Sequence, residues 1–177
     1  MSASQNAATL VSIASEGEWQ TRIENAAREV FEIMVGTGLT RLPAEPEREL
    51  PEHTAMVGLA GTLCGVMTVR CSSRTAAVIA SKMLGIPPEE AAEESRDALG
   101  EICNMVAGAF KNQVPSLQQD CLLSVPTVIS GADYELQSLG HGERIRCDFL
   151  MDQDKISVVL ETRPTKRKSS QANQSVV

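Results

Sequence analysis

The sequence predicts an α+β domain, a mainly antiparallel sheet packed with about three helices. Apolar residues recur at helical spacing over residues 19–35, 74–84 and 97–114. Short apolar and β-branched runs come in close pairs, as in "HTAMVGLAGTLCGVMTVRCS" and "ERIRCDFLMDQDKISVVLET". Strands joined by tight turns pair antiparallel, because a parallel partner needs a crossover of about a dozen residues or more.

The elements follow in order. Residues 1–14 are expected to be flexible, with a single domain over 15–162. Ser15 and Glu18 form an S-x-x-E capping box ahead of the first helix, 19–35. Ile23, Ala26, Ala27, Val30, Ile33 and Met34 make its apolar stripe. The stretch "GTGLTRLPAEPERELPE", 36–52, reads as a loop from its glycines, prolines and charges. Two strands follow, with a turn near Gly61. Ser72 or Ser73 caps a helix over 74–84, which Gly85, Pro87 and Pro88 stop. The acidic "EEAAEES" leads into the third helix, 97–114, ended by Pro115. "CLLSVPTVISG" reads as a strand with an edge or bend at Pro126. A hairpin around residues 152–154 follows, and 163–177 is a basic, Ser/Gln-rich tail expected to be disordered.

Composition narrows the function. Hydrophobic residues make up 42% of the 177 residues but aromatics only 3%, so the core must be Leu, Ile, Val, Met and Ala. The net charge of -7 disfavours nucleic acid and anionic membrane as partners, since phosphate binding needs clustered Lys and Arg. No apolar run approaches the roughly 18 residues of a membrane span, and the first residues lack the basic flank of a signal peptide. The five cysteines are odd in number and form no CxxC. They read as reduced, buried thiols of a cytoplasmic protein. His53 and His141 have no ligand-like spacing to any cysteine, and each lies beside a turn signal, where a solvated histidine is expected. Phosphate-loop, dinucleotide, zinc-protease and nucleophile-elbow motifs are absent.

What remains is the third helix, "DALGEICNMVAGAFKNQV". At about 100° per residue, Ala98, Ile102, Met105, Val106 and Ala109 share a core face, with Leu99, Cys103 and Phe110 beside them. Opposite lie Asp97, Glu101, Asn104, Gly108 and Lys111, flanked by Gly100 and Ala107. A solvated polar face explains the charges but not the glycines, each costing roughly 0.5–1 kcal/mol against alanine in a helix. Bare backbone at Gly100 and Gly108 would leave Glu101 and Asn104 standing from a low surface that a macromolecule can approach. An acid and an amide at i and i+3 point the same way.

These residues resemble the signature of the chemotaxis phosphatases of the CheC, CheX and FliY type. The family pattern is Asp or Ser, three residues, Glu, two residues, Asn, 21 residues, Pro; Asp97, Glu101, Asn104 and Pro126 match at every spacing. "AAREVFEIMVG" and "PTVISG" resemble the CheX subgroup, and the similarity runs from about residue 18 to 161. CheC-type and FliY-type members usually carry two acid–amide motifs, whereas here no other Glu is followed three residues later by Asn.

The resemblance implies a CheC/CheX-like fold and a cytoplasmic phosphatase for the aspartyl phosphate of a CheY-like response regulator. Asn104 would orient the attacking water and Glu101 would dock the regulator's lysine. The regulator itself would carry the Mg²⁺, so this chain needs no bound cofactor. Asp97 serves either the helix dipole or the partner. Lys111 is either a helix-end cation or a partner contact, and Pro126 shapes its strand. The resemblance further implies a homodimer through a sheet edge. The alternatives are a module of the same fold that binds a regulator without turnover, and a structural adaptor.

Overall fold

A computed structural model describes residues 16–163, apart from 45, 47–50, 133, 135 and 137–141. The chain runs α1 (Glu16–Val30), β1 (Leu39–Arg41), β2 (His53–Gly61), β3 (Gly65–Cys71), α2 (Ser73–Leu84), α3 (Ser95–Asn112), β4 (Cys121–Leu123), β5 (Thr127–Ser130), β6 (Arg144–Met151) and β7 (Asp154–Thr162). All strand pairings are antiparallel, in the order β1-β6-β7-β3-β2-β4, with β5 also on β2. The expected fold class is the observed one.

Local chemistry sets the boundaries. Ser72 caps α2 by accepting from Thr75 N at 3.1 Å, and Gly85 ends it at φ 69°. α1 closes with one π turn, Phe31–Val35, stopped by Gly36 at φ 66°. Gly61, at the expected β2–β3 turn, has φ 127°, and a Cβ there would lie 1.9 Å from Asp120 O, so glycine is obligatory. The capping residue Ser15, the expected flexible end 1–14 and His141 lie outside the described residues. Of the expected tail, 163–177, only Arg163 is described; its amide donates to Cys64 O at 2.8 Å.

Two expectations are corrected. The loop reading of 36–52 missed β1, whose Leu39–Arg41 pair with Met151–Phe149 of β6. A three-residue edge strand with one buried residue shows no alternation to read. His53 is buried rather than solvated. Its Nε2 meets Ser73 Oγ at 3.0 Å and its Nδ1 meets Ser130 Oγ at 2.8 Å, tying β2 to α2 and to the end of β5. Burial holds its pKa below the ordinary histidine value.

The pleat sorts the sheet into two faces. Ala55, Val57, Leu59, Met67, Val69, Cys147, Phe149, Ile156, Val158 and Leu160 join Ile23, Phe31, Leu99, Ile102, Val106 and Phe110 of the helices in one core. Trp19 of α1 and Phe110 of α3 have ring centroids 5.4 Å apart, so the few aromatics brace the two helices. The opposite face is more polar yet also buried. There Asp148 accepts from Ser157 Oγ at 2.5 Å and Arg146 Nε at 2.8 Å, and Thr54 Oγ1 meets Tyr134 hydroxyl at 2.8 Å.

All five cysteines are free; four are buried and Cys64 is half-buried. Burial pushes the Cys71, Cys103 and Cys147 thiols up to about 12. Since the thiolate is the nucleophile, alkylation of the folded protein at pH 8 should modify Cys64 first, with these three slower by roughly a hundred-fold or more. Peptide mass mapping reads this directly; equal labelling of all five would contradict the burial.

Candidate functional site

Among the described elements, α3 is packed on several sides. It lies against β2 and β3, contacts α1 and α2, and is flanked by β4 and β5. Ala98 joins Ala80 and Ala91 in a small cluster on the α2 side. Ser95, Ala98, Leu99, Gly100, Ile102, Cys103, Val106, Ala107 and Phe110 are buried. What stays open is one stripe: Asp97 and Glu101 are exposed, and Asn104, Gly108 and Lys111 are half-buried. The expected polar face is therefore present. The core face is rotated from the expected one. Met105 and Ala109 are only half-buried, whereas Gly100 and Ala107 are covered.

The rotation corrects the reading of Gly100 as a docking glycine. A Cβ at this position would meet Val128 Cγ2 at 3.4 Å and Pro126 Cβ at 3.7 Å, so the residue packs internally against the edge strand. At Gly108 a Cβ would meet nothing within 4 Å, so that position opens to the surface as expected. The two glycines do different work. One seats a strand on the helix, and the other keeps the exposed stripe low.

Glu101 and Asn104 are about 4.5 Å apart along the helix axis and roughly 60° apart around it, which puts both on the open side. Among the described residues neither side chain has a hydrogen-bond or ion-pair partner. A carboxylate and an amide without internal partners can act on something outside the chain, the carboxylate as acceptor and the amide as both donor and acceptor. Asp97 lies in the first turn of α3, where the helix has no side-chain N-cap, so its charge complements the dipole. Lys111 lies in the last turn. Burial pushes the Cys121 thiol up, and the Lys111 ammonium pulls it the other way, which places Lys111 beside β4. Pro126 is exposed on its outer side and roofs Gly100 with its ring.

Among the described residues no group of three or more His, Cys, Asp or Glu is placed to hold a metal ion, and no helix is long and apolar enough to cross a membrane. A cavity of about 540 Å³ near the β1 edge is lined by Gln20, Arg41, Leu42, Ile145 and Arg146. Arg41 is committed there to Glu24 Oε1 at 2.7 Å and to the carbonyls of Leu42 and Asp148. Ile33, expected in the apolar stripe of the first helix, is instead 69% exposed, and the sequence reading also missed Val125, 82% exposed, just before Pro126. An apolar residue beside a strand proline was its only signal.

The glycines give a direct test. Gly108→Leu should hold or raise the melting temperature, gaining up to roughly 0.6–1 kcal/mol of helix propensity. Gly100→Leu should lower it, because overpacking against Pro126 and Val128 costs about 1–3 kcal/mol, whereas Gly100→Ala should be tolerated. Thermal melts of the three variants check this; a stable Gly100→Leu would mean that the strand does not close on the helix.

Comparison with known proteins gives the family and the fold. Residues 53–150 match the family described as chemotaxis phosphatase CheX. The chain is 31% identical over 94 residues to the CheY-P phosphatase CheX of Thermotoga maritima, a match covering 52% of this chain and 61% of that protein. The fold is shared with chemotaxis protein CheX from Vibrio vulnificus, at TM-score 0.71 and 23% identity, covering 84% of this chain and 99% of that one. It is shared too with a chain of the CheX-CheY-BeF3-Mg complex from Borrelia burgdorferi, at TM-score 0.68 and 22% identity, covering 82% and 98%. With a family match over more than half of its 177 residues and a helix that keeps the acid–amide stripe open, the chain belongs to the chemotaxis phosphatase CheX family.

Proposed function

We propose that this chain hydrolyses the aspartyl phosphate of a CheY-like response regulator docked on α3. The observation that carries the reading is the pair Glu101 and Asn104, open on one face of a rigid helix and without partners among the described residues. The Thermotoga relative, named a CheY-P phosphatase, supports the reaction. The Borrelia complex, which holds CheX and CheY together, supports the partner.

The chemistry asks little of this chain. Water attacks phosphorus, the bond from phosphorus to the acyl oxygen breaks, and the regulator's aspartate leaves as a carboxylate with inorganic phosphate as the second product. A carboxylate is a good leaving group, so no strong general acid is required. The task is positioning and charge stabilisation. Asn104 accepts from and donates to the water in line with the bond. Glu101 pairs with the regulator's lysine and fixes the register. The regulator brings the Mg²⁺. Gly108 lets the partner's surface close on the stripe, and Asp97 and Lys111 border it. Among the described strands, the β1 edge is the one a homodimer would extend, since the β4–β5 edge is broken at Pro126. Free thiols and a response-regulator partner fit the cytoplasm.

Asn104→Ala should remove most phosphate release, while stability changes by no more than about 0.5 kcal/mol. Glu101→Gln should weaken docking, and more so at low salt, where charge pairing is less screened. Timed phosphate loss from phosphorylated regulators with Mg²⁺ measures both. Undiminished activity in Asn104→Ala would exclude its role, and binding without any turnover by the wild-type chain would identify a docking module instead.

A further inference from the structure

β4 and β5 form one edge strand broken by a bulge. Leu59 faces Leu123 and Met56 faces Thr127, so Val57 and Gly58 of β2 oppose three residues, Ser124, Val125 and Pro126. The bulge is pinned at both ends. Ser124 N donates to Gly58 O at 2.9 Å, and Gly58 N donates to Ser124 Oγ at 2.9 Å. At the other end Pro126, with its φ fixed by the ring, packs on α3 at Gly100, one residue before Glu101. Held between these anchors is Val125, the most exposed large hydrophobic residue among those described, at 82%.

We propose that Val125 is an apolar contact for the phosphorylated regulator, setting affinity rather than chemistry, and that the Gly100–Pro126 contact positions it beside the acid–amide stripe. The proposal rests on the reading of α3 as the docking face. The occupant follows from area and from the edge itself. A stable protein interface covers about 800 Å² on each partner. The stripe from Asp97 to Lys111 is roughly 21 Å long and one side chain wide, too narrow to supply that area alone. A regulator seated on it must reach a neighbouring element, and the bulge is joined to α3 at the turn that bears Glu101. A second copy of this chain adding a strand here is disfavoured, because Pro126 lacks an N–H and the bulge breaks the ladder. An isolated exposed valine matters little by itself; a rigidly held one beside a docking helix has a partner to meet.

The test compares Val125→Asp with Leu122→Asp. Leu122 lies on the same edge strand and is 71% exposed, but it alternates with core-facing Cys121 and Leu123 and so points to the other sheet face. Affinity for a CheY-like regulator loaded with beryllofluoride and Mg²⁺ is measured with kcat, KM, melting temperature and light-scattering mass. Val125→Asp should raise Kd and KM about ten-fold or more with kcat, melting temperature and mass retained, whereas Leu122→Asp should leave Kd and KM as in the wild type. An unchanged Kd and KM in Val125→Asp overturns the proposal while Asn104→Ala, still inactive, keeps the docking face on α3. A halved mass with unaltered affinity for the regulator would make the edge a self-interface and also overturn it. Failure of the wild type to bind the loaded regulator would remove the reading of α3, and the proposal with it.

Discussion

Everything at the site depends on how closely the edge strand closes on α3 at Gly100. The helix must bury enough side chains to be rigid, yet leave one stripe free. It is covered from below by β2 and β3, with α1 and α2 packed against it, and the Pro126 bulge roofs the Gly100 turn. A side chain much larger than a methyl group at position 100 would push the strand outward. The register between β2 and β4–β5 would then have to shift, because Ser124 and Pro126 fix both ends of the bulge.

Rigidity is what the proposed chemistry would require of the helix. For water to act in line with an acyl phosphate, the amide that holds it must be placed to a fraction of an ångström. In the proposed reaction Asn104 would gain that precision from Cys103, Val106 and Ala107 around it, all fully buried in the core. Glu101 sits a turn earlier on the same rod, so the two groups move as a unit. A mobile loop bearing the same two residues would lose this advantage.

The stripe was legible in the sequence because helical spacing is a local property: Glu101 and Asn104 share a face wherever the helix goes. Caps and hairpins were legible for the same reason, through Ser72, Gly85 and Gly61. Tertiary placement was not. A helical wheel ranks side chains, and a glycine has none to rank, so Gly100 looked like open surface although a strand covers it. His53 looked solvated because its burial comes from Ser73 and Ser130, distant in sequence. β1 went unseen because three residues give no period. The bend at Pro126 was legible from proline chemistry, but the bulge appears only in the register with β2.

The central claim, that a regulator docks on the open stripe of α3, is tested most directly by amide NMR of the isotopically labelled chain titrated with a beryllofluoride-loaded, Mg²⁺-bound CheY-like regulator. The account predicts the largest shift changes along the exposed turns of α3 around Glu101, Asn104 and Gly108, continuing into the Ser124–Pro126 bulge. Changes confined to α1, to α2 or to the β1 edge, with α3 undisturbed, would contradict it.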